Sequence, residues 1–136
     1  MKINPYLGFK GECEEAFNFY ARCLGGKITA KVTYGETPVA DQIPSEWHSK
    51  IIHAAMQAGD DILMGGDPLT DSYVEPTGFS LSVTTEDPEK AERLFTALAE
   101  NGEIRMPLQK TFFADQFGML VDQFGIPWMI LYRNGA

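Results

Sequence analysis

One pattern is written twice along this chain. An extended apolar segment, an amphipathic helix and further extended segments run from Ile3 to Gly66, and the same order returns from Gly78 to Tyr132. Units this short cannot each enclose an independent core, so a repeat of this kind has to pair its sheets. With 136 residues, 44% of them hydrophobic, the chain can bury one good core. The expectation is a single α+β domain of two βαβββ modules, module 1 over about 1–66, a linker over 67–77 and module 2 over about 78–136. The cavity between the sheets is the place to look for function.

The first module opens with a strand over Ile3 to Phe9, with Ile3, Leu7 and Phe9 on one face and Pro5, which lacks an amide proton, suited to a strand start or edge. From Glu12 to Leu24, Ala16, Phe17, Tyr20, Cys23 and Leu24 fall at helical spacing, and Gly25-Gly26 stops the helix. A strand over Lys27 to Tyr34 follows, then a loop over 35–49 holding Pro38 and Pro44, then a hairpin of Lys50 to Ala58 and Asp61 to Met64 around Gly59-Asp60. The second module repeats the order. A strand over Phe79 to Thr84 leads to a helix capped by Asp87, with Pro88 in its first turn and Ala91, Leu94, Phe95 and Leu98 on one face. Asn101-Gly102 ends it, and strands are expected over 103–108, 118–122 and 128–132.

Composition excludes several functions. A net charge of -8, with eleven scattered basic residues, argues against nucleic acid and against anionic membranes. No apolar stretch approaches the roughly 20 residues of a membrane span, and the start Met1-Lys2-Ile3-Asn4-Pro5 lacks a signal peptide's hydrophobic stretch, so a cytoplasmic location is expected. Cys13 and Cys23, ten residues apart on one predicted helix, lie about 15 Å apart along its axis. They cannot form a disulfide with each other, and the reading is structural.

The order of elements resembles the vicinal oxygen chelate superfamily, the glyoxalase/bleomycin resistance/dioxygenase group, and more narrowly its PhnB/YjdN-like branch. The residues that carry the closer likeness are Pro5-Tyr6-Leu7-Gly8-Phe9, Ala16, Phe19-Tyr20, Leu24-Gly25, His53-Ala54, Leu63-Met64, Asp67 and Gly78-Phe79. To these belong Thr111-Phe112-Phe113-Ala114, Phe117-Gly118, Asp122, Phe124-Gly125 and Pro127-Trp128-Met129-Ile130. The resemblance implies a cupped mixed sheet, a homodimer and, in the superfamily's enzymes, a divalent metal held by His and Glu from the first and last strand of each half. Carried over, those positions fall at Tyr6, near Met64, at Gly78 or Phe79 and at Ile130, a set that cannot make a metal site of the usual kind. No cofactor is therefore expected.

His53 is the candidate catalytic residue, because an imidazole in the apolar strand Ile51-Ile52-His53-Ala54-Ala55-Met56 can act as acid, base or ligand. The simpler alternative is a partly buried histidine bonded to a neighbouring strand or to Asp67. His48, beside Trp47 in a polar loop, reads as solvated. Asp115 and Asp122, flanking Phe117-Gly118, could orient a polar group or transfer a proton, and turn formation is the simpler account of both.

Three functional readings follow. In the first, a small apolar or aromatic molecule binds in a metal-free cup lined by Tyr6, His53, Met64, Phe79, Phe113 and Trp128, with Trp128 sharing its face with Ile130. In the second, a metal-dependent lyase or dioxygenase uses His53 with Asp67 and Asp115. The third is antibiotic sequestration, the acidic charge attracting a cationic drug. Methyl transfer is not expected, since no glycine-rich turn of the nucleotide-binding kind joins a strand to a helix.

Overall fold

The computed structural model describes residues 1–135. The chain divides into two compact units, Met1–Val74 and a second beginning at Glu75, and the order β-α-β-β-β holds in each. No helix among the described residues is long and apolar enough to cross a membrane.

In unit 1, β1 (Tyr6–Gly8), β2 (Lys27–Thr33), β3 (Ile51–Ala58) and β4 (Asp61–Gly66) form a mixed sheet ordered β1-β4-β3-β2. Only β1 and β4 are parallel, pairing Tyr6 with Met64 and Leu7 with Gly65. β1 is shorter than expected. Ile3 is exposed, and Pro5 contributes its carbonyl alone, accepting the Met64 amide at 3.1 Å.

Helix α1 (Cys13–Leu24) covers one face of this sheet with Cys13, Ala16, Phe17 and Tyr20. Phe17 meets Phe9 edge-on at 5.9 Å and Tyr20 at 6.1 Å. Each such ring taken out of water stabilises the unit by about 1.5–3 kcal/mol. Gly65 permits the close approach, because a Cβ there would stand 3.1 Å from the Phe17 ring. Gly25, at φ +69°, ends the helix in the left-handed conformation that an added side chain would disfavour.

The loop between β2 and β3 is more ordered than its prolines suggest, with three short 3-10 turns. His48 is not merely solvated. Its Nε2 lies 2.9 Å from the Ala40 carbonyl and 3.0 Å from that of Ile43. Two carbonyls can only accept, so Nε2 carries the proton.

In unit 2, β5 (Leu81–Thr85), β6 (Glu103–Gln109), β7 (Gln116–Val121) and β8 (Pro127–Tyr132) are ordered β5-β8-β7-β6, with β5 and β8 parallel. Helix α2 (Pro88–Leu98) buries Ala91, Leu94, Phe95 and Leu98, and the Asp87 carboxylate accepts the Glu89 and Lys90 amides. Gly118 lies beneath α2, since a Cβ there would stand 2.6 Å from the Phe95 ring. Its cross-strand partner Ile130, and Trp128 two residues earlier, therefore face α2 as well. Met129 and Leu131 take the opposite face, where Leu131 packs with Phe117 and Ala114.

Candidate functional site

In unit 1 the sheet face turned away from α1 brings three of the expected residues together. Tyr6 and Met64 are direct partners across β1 and β4, and Met64 is in turn opposite Ala55 on β3. His53 lies two residues before Ala55 and so shares that face. The Tyr6 and His53 rings stack, with centroids 5.8 Å apart and planes 27° from parallel. Tyr6 is 53% exposed, an unusual position for a ring on a strand, and His53 and Met64 are half-buried.

What fixes Tyr6 is its hydroxyl, which donates to the Ile52 carbonyl at 2.9 Å. Burial raises the phenol's pKa above its usual value, helped by Cys13 and then Tyr34. The group therefore stays protonated at neutral pH and keeps donating. Tyr6 offers a ring held in place rather than a base. Gly66 makes room for this bond, as a Cβ there would sit 2.7 Å from the Ile52 oxygen and 3.0 Å from the Tyr6 hydroxyl. Only the Gly-Gly pair after Met64 hinted at this in the sequence.

Asp67, offered above as a partner for His53, is 2% exposed and committed elsewhere. Oδ1 accepts the Cys13 amide at 2.9 Å and Oδ2 the Ile51 amide at 3.0 Å, while its backbone carbonyl accepts the Tyr34 hydroxyl at 2.6 Å. The N-cap residue of α1, Glu12, makes no side-chain cap, so Asp67 supplies the missing acceptor from 54 residues away. Asp67 also lies at the start of the expected linker, and its bonds make it part of the unit 1 core. Asp115 accepts the Asn134 amide at 2.8 Å. Among the described residues no three His, Cys, Asp or Glu side chains gather as a metal-binding group.

Trp128 departs from the expected position. It is 2% exposed on the α2 side of its sheet, with Nε1 donating to Asp122 Oδ2 at 2.8 Å. Asp122 Oδ1 accepts the Phe124 amide at 2.8 Å and the Ile126 amide at 3.1 Å. Both residues belong to the core and turn of unit 2. Phe113 is 44% exposed and meets Phe117 edge-on at 5.0 Å. Phe79, 45% exposed, precedes β5 rather than opening it, because Gly78 turns the chain at φ +81°.

Cys13 and Cys23 are not joined in a disulfide. Burial pushes the Cys13 thiol up in pKa, and the nearby Asp67, Glu14 and Glu15 carboxylates add to the effect. The folded protein therefore keeps this proton well above the ordinary thiol pKa of about 8.5. Below that pH both folded and unfolded thiols are protonated and the contribution to stability is intact. As pH rises past it, the unfolded chain loses the proton while the folded chain retains it, so stability declines. Native protein treated with iodoacetamide near pH 8 should be alkylated at half-buried Cys23 and spared at Cys13. Alkylation of Cys13 at a rate matching that of Cys23 would contradict this assignment.

A family model described as 3-demethylubiquinone-9 3-methyltransferase matches residues 1–131. The chain belongs to this family. YjdN from Escherichia coli (strain K12) is 38% identical over 139 residues, covering 96% of this chain and 94% of the relative. Among solved structures, a Pseudomonas aeruginosa protein is 41% identical, covers 98% of each chain and superposes with a TM-score of 0.87. A PhnB protein of Bacillus cereus, described as a 3-demethylubiquinone-9 3-methyltransferase, is 30% identical, covers 97% of this chain and 99% of its own, and has a TM-score of 0.82. The PhnB/YjdN-like assignment thus holds over nearly the whole chain. At the level of fold alone, the fosfomycin resistance protein FosX of Listeria monocytogenes matches at 9% identity with a TM-score of 0.65, covering 97% and 92% of the two chains. The two βαβββ units are the glyoxalase/bleomycin resistance fold.

Proposed function

We propose that this PhnB/YjdN-like protein binds a small apolar or aromatic molecule against the β1-β4-β3 face of unit 1, where Tyr6, His53 and Met64 meet, without a metal. The observation that carries the reading is the exposed Tyr6 ring, stacked on His53 and anchored through its hydroxyl to Ile52. A flat apolar surface held in place before the ligand arrives loses little entropy on binding, and the imidazole beside it adds one orienting polar group.

The metal-dependent alternative fits less well. It needs Asp67, both of whose carboxylate oxygens are engaged by backbone amides. Methyl transfer, the activity in the family's description, needs a methyl-donor cofactor held at a strand-to-helix turn. Here the Asp67 carboxylate occupies the N-terminus of α1 and the Asp87 carboxylate that of α2. These residues do not fit such a group.

The test uses a fluorescent aromatic probe, anilinonaphthalene sulfonate, followed by a panel of aromatic metabolites. Saturable binding is expected, weakened about tenfold or more in His53→Ala, a loss of about 1.4 kcal/mol. Gly66→Ala sets a methyl 2.7 Å from the Ile52 oxygen and 3.0 Å from the Tyr6 hydroxyl, so the backbone of β3 and β4 or the Tyr6 ring has to shift, and the variant should weaken binding similarly. Unchanged affinity in a stably folded His53→Ala protein would remove His53 from the site.

A further inference from the structure

His53 bears on what kind of ligand the unit 1 face would take. Neither of its ring nitrogens has a hydrogen-bond partner among the described residues, and neither is fully buried. His48 shows the contrast, its Nε2 held between two backbone carbonyls. A half-buried imidazole whose ring is fixed against Tyr6 while its nitrogens stay free is set to bond something from outside the protein.

The side chains facing His53 carry no charge. Its cross-strand partner on β2 is Val32, its neighbour on the same face of β3 is Ala55, and β4 presents Met64 and Gly66. From β1 it meets the Tyr6 ring, whose raised pKa keeps the phenol neutral. The acids on the adjoining elements are engaged elsewhere. Glu14 of α1, on the opposite face, bonds Lys31 at 2.7 Å, Glu36 accepts from Thr33, and Asp67 accepts the Cys13 and Ile51 amides. Lys27, opposite Gln57, stands four residues further along β3, about 13 Å away.

His53 is therefore the one described side chain beside the Tyr6 ring that can change charge near neutral pH. No carboxylate in unit 1 is placed there to neutralise a cationic ligand, and the net charge of -8 is spread over the whole chain, where salt screens it beyond about 8 Å. An anionic group, by contrast, gains a charge-assisted hydrogen bond once the imidazole is protonated. The Tyr6 ring beside it can sit against a cation as well as against a neutral ring.

The geometry points to an aromatic carboxylate as the ligand class of this face, its ring against Tyr6 and Met64 and its anionic group on protonated His53. This rests on the ligand face proposed above. Such a ligand binds best to the protonated imidazole, so binding and proton uptake favour each other, and affinity rises as pH falls while the carboxylate stays ionised.

Two probes of one shape, 2-naphthoate and 2-naphthamide, are titrated into the protein by calorimetry at about pH 5.5 and about pH 8.5, either side of the usual imidazole range. The acid is ionised at both, since carboxyl groups ordinarily titrate near pH 4. Naphthoate should bind at least about tenfold tighter than naphthamide at the lower pH and within about threefold at the higher. His53→Gln keeps a hydrogen-bond donor without the charge, and its preference at the lower pH should fall to about threefold or less. A merely structural His53 would weaken both probes alike and leave the preference standing. In the parent protein the His53 ring resonance should titrate at higher pH with naphthoate bound than without it, a reading that needs no variant. The proposal is overturned, with the ligand face intact, if both probes bind equally at the lower pH and both weaken in Tyr6→Ala, or if the preference survives in a folded His53→Gln protein. If neither probe binds, the ligand face and the proposal fall together.

Discussion

Asp67→Ala is expected to destabilise the protein by about 3–6 kcal/mol, since each hydrogen bond to a charged acceptor contributes about 1.5–3 kcal/mol and two are lost. The Cys13 and Ile51 amides that Asp67 satisfies are buried, so neither recovers a water molecule in exchange. The first turn of α1 loses its acceptor at the same time. Against a typical total of 5–15 kcal/mol this is a large fraction, and it should lower Tm by about 10 °C or more. Asp67→Asn should fall between, because the amide keeps one acceptor oxygen but turns an N–H toward the other donor. Urea unfolding of the three proteins measures the series. A loss below about 1 kcal/mol in the Ala variant would mean that the two amides find other partners once the carboxylate is gone.

The consequence reaches the candidate site, because Asp67 joins the start of α1 to the start of β3, two residues before His53. Probe binding should weaken in Asp67→Ala although Asp67 contributes no atom to the Tyr6 and His53 stack. Loss of stability and loss of binding should go together in this variant, whereas in His53→Ala binding should fall with stability largely kept.

The two βαβββ units were legible in the sequence because both helices announce themselves chemically. Asp87-Pro88 start α2 and Gly25 ends α1, whereas Asn101, expected to end α2, turns the chain at φ 58° three residues after the helix has closed at Leu98. The face of β1 was legible too: Leu7 and Phe9 are the buried residues, and Tyr6, just before Leu7, points the other way. β8 resisted the same treatment. Trp128, Met129, Ile130 and Leu131 are all apolar, so alternation states that two faces exist without stating which one the helix covers. The choice is made by Gly118 under Phe95, a contact across the fold that no local pattern reports. Asp67 was illegible for a related reason. Its two amide donors lie 54 and 16 residues away, and a lone Asp after Gly-Gly reads as a turn.

Trp128→Phe should separate the core of unit 2 from the ligand face of unit 1. The variant keeps an aromatic ring under α2 but removes the indole N–H, leaving Asp122 Oδ2 without that donor in a buried setting. The lost charge-assisted bond and the smaller ring together should cost about 2–4 kcal/mol. Asp122→Ala should cost more, about 4–6 kcal/mol, as the Phe124 and Ile126 amides lose their acceptor along with the indole. Gly125, at φ +89°, keeps its own bond to the Asp122 carbonyl, so the turn is weakened rather than abolished. For ligand binding the expectation runs the other way: a folded Trp128→Phe protein should bind the aromatic probe with affinity within about twofold of the parent, a difference of about 0.4 kcal/mol. A tenfold loss in that protein, with its Tm well above the assay temperature, would return Trp128 to the ligand site and displace the Tyr6 and His53 face as sufficient for binding.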